Sequence, residues 1–192
     1  SHTTDLAVDF GRKVRNLIAT ETYQDIFPTV ALAVDSKSAG RWNTNSGGEY
    51  YACGIGSSIA GRGADLLLVD DPHSEQDVIN GNFEVFEKAY DWFTFGARTR
   101  LMPGGRVAII QTRWHMDDLT GRVTKDMTNN ERSDQYEVVE FPAIMDVEDK
   151  KTKEIIQKPL WPEFFDMEAL LRTKASMPVF QWNAQYQQEP TA

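Results

Sequence analysis

Asp65-Leu66-Leu67-Leu68-Val69-Asp70-Asp71-Pro72-His73 is the stretch whose reading decides the fold. The apolar run from Leu66 to Val69 is too short for a helix and fits a strand buried on both faces. Pro72 has no amide hydrogen to give a ladder and steers Asp71 away from helical backbone, so the strand stops there. Such a strand belongs in a parallel sheet, and open parallel sheets bind ligands beyond the carboxyl ends of their strands. Asp70 and Asp71 stand at that end. They read either as acids of a functional site or as two polar residues that merely terminate a strand.

On the N-terminal side lies Gly54-Ile55-Gly56-Ser57-Ser58-Ile59-Ala60-Gly61-Arg62-Gly63. It contains Gly-x-Gly, but a strand follows it where a dinucleotide site needs a helix, and it lacks the Gly-Lys-Ser/Thr of a phosphate-cradling loop. Arg62, set between two glycines, reads as a solvated turn residue or as an arginine that flexible backbone can present away from its own sheet. On the C-terminal side a helix is expected over residues 82–98, with Phe83, Phe86, Ala89, Tyr90 and Phe93 as its buried stripe. Pro103-Gly104-Gly105 reads as a turn. Arg106 to Thr112 reads as a second buried strand, ending in Gln111-Thr112-Arg113-Trp114-His115. Polar residues thus stand at both strand ends, which can face one site.

Further out, Ser1 to Asp5 supplies hydroxyl caps and a first-turn acid for a helix carrying Leu6, Phe10, Val14, Leu17 and Ile18. Its Arg12, Lys13 and Arg15 read as a solvated face before they read as phosphate contacts. Residues 36–48, rich in Ser, Gly, Asn and Thr, read as a surface loop with Trp42 in its middle. Glu49 to Cys53 resumes a strand pattern. Asp117 and Asp118 cap a helix through Val123 to Met127, and Tyr136 to Phe141 alternates as a further strand. Asp146 to Lys158 is a charged hairpin or loop, and two short helices follow, near residues 166–174 and 178–188. The second buries Phe180, Trp182 or Tyr186. Strands alternating with helices make the chain α/β.

The totals fit that class. A length of 192 residues suits one domain, and 41% hydrophobic with 26% charged content is ordinary for a globular protein. A net charge of −9 argues against a surface uniformly basic and dedicated to nucleic acid, though a local stripe is compatible with it. The single cysteine, Cys53, allows no internal disulfide. Neither a membrane span nor a signal peptide is expected.

The ordered set of motifs resembles the ATPase domain of the large terminase subunit, the DNA-packaging motor of tailed bacteriophages. Four segments carry the resemblance: Ser1-His2-Thr3-Thr4 leading to Phe10-Gly11-Arg12; Gly61-Arg62-Gly63 through Asp70-Asp71-Pro72-His73; Ile109-Ile110-Gln111-Thr112-Arg113-Trp114-His115; and Gln185-Tyr186-Gln187-Gln188-Glu189-Pro190. The second is similar to a Walker B strand. The resemblance implies a three-layer P-loop NTPase-like (ASCE) fold, mostly parallel, lacking the N-terminal strand–loop–helix with its phosphate-binding Lys. Residues up to about 145 would form the core and residues 146–192 a C-terminal helical or linker segment. The nuclease domain expected after Pro190 would lie outside the chain.

By the same resemblance Asp70 holds the Mg²⁺ of MgATP, Asp71 orients the attacking water where the family usually has Glu, and Arg62 is a trans-acting arginine finger. Thr112, with Gln111 beside it, resembles the coupling motif that senses the γ-phosphate. Implied partners are double-stranded DNA, the portal protein, the small terminase subunit and further copies of the chain in a ring, with no membrane, in the cytoplasm of the infected bacterial host. The isolated chain is expected to bind ATP poorly and to be inactive alone. Two other readings stand beside this one. One is a free-standing metal-dependent phosphohydrolase or nuclease using Asp70, Asp71, His73, His115, Asp117 and Asp118. The other is a non-catalytic interaction module related to an ATPase.

Overall fold

The computed structural model describes residues 1–36 and 38–191. It is a mixed α/β structure of small sheets and flanking helices in two compact units. The first comprises residues 1–74 and 88–110, the second residues 75–87 and those from Gln111 onward.

In the first unit the decisive stretch is strand β3 (Ala64–Asp70), paired in parallel with β4 (Leu101–Ile110) so that Asp70 faces Ile110. The expectation of burial on both faces is corrected. Val69 is 2% exposed, but Leu66 and Leu68, on the opposite face, are 62% and 54% exposed, and Ile110 beside them is 53% exposed. Hydrophobicity alone reported both faces as core, whereas burial depends on what lies against each. Pro103-Gly104-Gly105 is likewise no turn. It is an irregularity inside β4, where Gly104 takes φ +81° and the pairing jumps from Leu101 to Arg106.

Helix α1 (Thr4–Ile18) starts at Thr3, whose hydroxyl accepts from Leu6 N, with Asp5 in the first turn. Its buried residues are Ala7, Gly11 and Ile18, while Phe10, Val14 and Leu17 are exposed. Of the expected stripe Ile18 is buried and Leu6 half-buried, while Phe10, Val14 and Leu17 do not face this unit's interior. Small residues face it because the hairpin β1 (Arg41–Asn43) and β2 (Glu49–Tyr51) lies against the helix there. A Cβ on Gly11 would meet Tyr50 Cε1 at 2.5 Å and Ala39 O at 2.8 Å, so only glycine fits. Trp42, in the middle of the expected loop, is buried, donates its ring N–H to Gly11 O at 3.1 Å and stacks on Tyr50 at 4.9 Å. A sequence rich in turn formers thus hides a hairpin pinned by one tryptophan.

The helix expected over 82–98 is broken into three. Helix α4 (Glu84–Asp91) runs into a π-helical turn over Trp92–Ala97 and a 3₁₀ turn over Arg98–Arg100. Phe86, Ala89 and Phe93 are buried as the stripe implies, Tyr90 is half-buried, Phe83 is exposed, and Ala97, outside the expected stripe, is buried too. The remaining helix of this unit is α2 (Glu21–Ile26), and α3 (Glu75–Ile79) belongs to the second unit.

In the second unit, α5 (Leu119–Asn129) is followed by the antiparallel hairpin β5 (Ile144–Glu148) and β6 (Ile155–Pro159), then α6 (Met167–Ala175) and α7 (Val179–Gln185). Of the three strand pairs among the described residues one is parallel, so a mostly parallel sheet is not what they form. Tyr136–Phe141 is not a strand. Phe141 N–H donates to the Gln188 side chain at 2.8 Å, so a side chain takes the place of a ladder partner. Gln187 does the same for β5: its amide accepts from Ile144 N at 3.1 Å and donates to Ile144 O at 2.9 Å. Trp182, Leu170 and Ile144 form the core there, while Phe180 is exposed. No helix among the described residues is long and apolar enough to cross a membrane.

Candidate functional site

Asp70 and Asp71 sit at the carboxyl end of the parallel pair, where the sequence places them. The ladder continues one step past the strand, because Asp71 N–H donates to Ile110 O at 2.9 Å. Asp71 C=O then accepts from His2 N at 2.9 Å and from His2 Nδ1 at 3.2 Å. Between those bonds its backbone turns into the left-handed region, φ +40°, which Asp tolerates better than most residues. The turn is supported from behind: Ile55 N–H donates to Ser1 O at 2.8 Å, and Gly54 N–H to Thr4 Oγ1 at 3.1 Å. Residues 1–4 thus bridge the strand end and the glycine-rich run. Gly54 is needed for this, since a Cβ there would lie 2.7 Å from Thr4 N.

Burial, and after it the negative charge of Asp71, push the Asp70 carboxyl above its ordinary value of 3.8. The folded chain therefore keeps a proton on Asp70 at pH values where the unfolded chain has released it. Stability falls as pH rises through the window that begins at 3.8 and ends at the raised value. Asp70→Asn removes the ionisation, and its stability relative to the parent chain is expected to grow as pH rises across that window. Urea midpoints at successive pH values would read it, and a difference constant with pH would contradict it.

Arg62 is in the same unit but in different company. Its Nη1 donates to Glu49 Oε1 at 2.8 Å and its guanidinium carbon lies 3.9 Å from the centre of the Tyr51 ring. Neither partner was legible: Glu49 and Tyr51 stand more than ten residues upstream, and only the β1–β2 hairpin carries them to Arg62. Gly61, at φ +76°, gives the chain its turn just before it.

Gln111 and Thr112 belong to the second unit. Both polar atoms of the Gln111 amide are buried without a hydrogen-bond partner among the described residues. An amide desolvated in this way loses water's bonds without replacement, and is a group open to a ligand or a water. Thr112 is half-buried. Of the residues after it, Arg113 is spent on structure. Its Nε donates to both oxygens of Asp118 at 3.1 and 2.9 Å. Asp118 also accepts from Trp114 N at 3.0 Å, from His115 N at 3.4 Å and, as the cap of α5, from Gly121 N at 2.9 Å. Wholly buried and bonded on both oxygens, Asp118 is a clamp and is not open to a metal. His115 stacks on Phe86 at 5.4 Å, with its Nδ1 accepting from Asp117 N at 3.1 Å, which leaves the proton of the neutral ring on Nε2.

Among the described residues no three His, Cys, Asp or Glu side chains converge as a metal cage. Mg²⁺ carried with a nucleotide does not need one, because it takes one or two carboxylates and completes its shell with phosphate oxygens and water. The adjacent acids Asp70 and Asp71 fit that demand, and a cation there would offset the burial and, after it, the charge of Asp71 that raise Asp70. Set against known proteins, no family model and no curated protein matches this chain.

Proposed function

We propose that this chain is part of a large terminase subunit, the ATPase that drives viral DNA into a capsid, and that Asp70 and Asp71 belong to its nucleotide site. One observation carries the reading: two adjacent carboxylates end a parallel strand, the second fixed by backbone bonds on both sides of a left-handed turn. Residues held in sparsely populated backbone regions by over-determining contacts cluster at functional sites. The uncovered face of β3 and β4 agrees with it, since parallel strands are ordinarily covered on both faces and a three-layer P-loop sheet supplies that cover.

In this reading Asp70 holds Mg²⁺, Asp71 orients the water that attacks the γ-phosphate, and Arg62 meets the charge that develops there. Bound Mg²⁺ supplies charge neutralisation on the phosphates. Thr112, with Gln111 beside it, is proposed as the coupling residue on its likeness to that motif alone. Double-stranded DNA, the portal protein, the small subunit and a ring of like chains are the proposed partners, in the cytoplasm of an infected bacterium.

The test is Mg²⁺-dependent ATP hydrolysis by the protein as encoded. Asp70→Asn and Asp71→Asn are each expected to lower it by about two to three orders of magnitude. Residues 1–192 alone are expected to bind ATP only weakly. Micromolar Mg²⁺-dependent ATP binding by that chain would sink the second expectation. Metal-dependent cleavage of plasmid DNA, abolished by Asp70→Ala, would replace the motor with a free-standing nuclease.

A further inference from the structure

Arg62 is not held as a free side chain. Glu49 is gripped by two guanidinium groups, Arg62 Nη1 on Oε1 at 2.8 Å and Arg41 Nη2 on Oε2 at 3.1 Å. The Tyr51 ring lies under the Arg62 guanidinium at 3.9 Å. All of these side chains are partly exposed, and the contacts are of the modest kind that exposed ion pairs and cation–π pairs make. They are strong enough to set a resting position and weak enough to be broken.

We propose that Glu49 and Tyr51 form a latch that holds Arg62 on its own subunit until a nucleotide phosphate competes it away. This rests on the reading of Arg62 as the residue that meets γ-phosphate charge. Glu49 occupies an N–H of the guanidinium that a phosphate would use, and its negative charge stands where a second anion is unwelcome. Arg41 makes release inexpensive, because Glu49 keeps a guanidinium partner when Arg62 leaves. The backbone provides the pivot. Gly61 takes φ +76° with open space where a Cβ would be, whereas a Cβ on Gly63 would meet Met102 Sδ at 2.8 Å and β3 begins at Ala64. The glycine before Arg62 is thus the place where the backbone has room to turn.

The experiment compares the parent protein as encoded with Glu49→Gln, Arg62→Ala and the double variant, by steady-state ATP hydrolysis. Glu49→Gln is expected to raise kcat about two- to five-fold, the range set by an exposed ion pair. Arg62→Ala is expected to lower kcat by about 10³-fold, and the double variant to match Arg62→Ala. A kcat unchanged or lowered by Glu49→Gln, in a protein that Arg62→Ala inactivates, overturns the latch and leaves the site reading standing. Hydrolysis by Arg62→Ala at the parent rate overturns Arg62's assigned role and the latch together. Phenylglyoxal modification of Arg62, followed by mass spectrometry, checks the latch without any turnover. It is expected to be several-fold faster in Glu49→Gln, and equal rates overturn the proposal.

Discussion

Asp118→Ala is expected to lower the stability of the chain by about 3–5 kcal/mol, the cost of removing one partner of a buried charge pair. The carboxylate is completely buried and accepts from the Arg113 side chain and from the backbone N–H groups of Trp114, His115 and Gly121. Deleting it strips the cap from α5 and leaves Arg113, whose side chain is only 16% exposed, without its counter-charge. No rearrangement of α5 closes the gap, because Gly121 is already jammed: a Cβ there would lie 1.9 Å from Met116 O. Urea unfolding reads the effect as a fall in midpoint at unchanged slope. Asp118→Asn, which keeps an acceptor for the cap, is expected to recover part of the loss. A loss below about 1 kcal/mol, the size of an ordinary exposed cap, would show that Asp118 is no clamp.

Trp182→Ala is expected to cost about 3–5 kcal/mol, the range for truncating a fully buried large aromatic. Trp182 is 1% exposed and centres the cluster with Ile144 and Leu170. Its ring stacks on Tyr186 at 4.7 Å and receives Lys174 Nζ from 5.7 Å. Because Ala143 N–H donates to Tyr186 O at 2.7 Å, the loss reaches past packing to the edge of β5. Near-ultraviolet circular dichroism should lose intensity along with the fall in urea midpoint. Trp182→Phe, which refills most of the volume, is expected to lose less than half as much. Equal losses from the two would point to the ring nitrogen instead of the packing.

What the sequence disclosed followed the range of the physics behind each signal. The β3 strand and its two terminal acids were legible because a short apolar run closed by Asp-Pro is a local statement. Caps at Thr3 and Asp118 were legible for the same reason, each accepting an N–H within three residues. Burial was not. Leu66 and Leu68 read as core because composition cannot tell which face of a strand meets protein, and Phe10, Val14 and Leu17 misled in the same way. The hairpin around Trp42 was hidden because its anchor, Gly11, is 31 residues away. The alternation of Tyr136–Phe141 described a strand that the backbone bonds do not make. For the candidate site, the sequence supplied Asp70, Asp71, Arg62, Gln111 and Thr112 as names. Fold alone supplied the partners that give them meaning: His2 on Asp71, Glu49 and Tyr51 on Arg62, and, among the described residues, none for the Gln111 amide.

The left-handed backbone at residue 71 also acts as a filter on the alphabet. A φ of +40° is open to glycine, accessible to asparagine and aspartate, and costly for branched or long side chains. If a carboxylate is to stand at this spot, the backbone selects the shorter of the two that biology offers. A glutamate would bring its extra methylene together with a conformational penalty. The departure from the glutamate usual in the proposed family follows the preference of this turn. It is the residue that this turn permits, and the turn, held by Ile110 on one side and His2 on the other, fixed the vocabulary first.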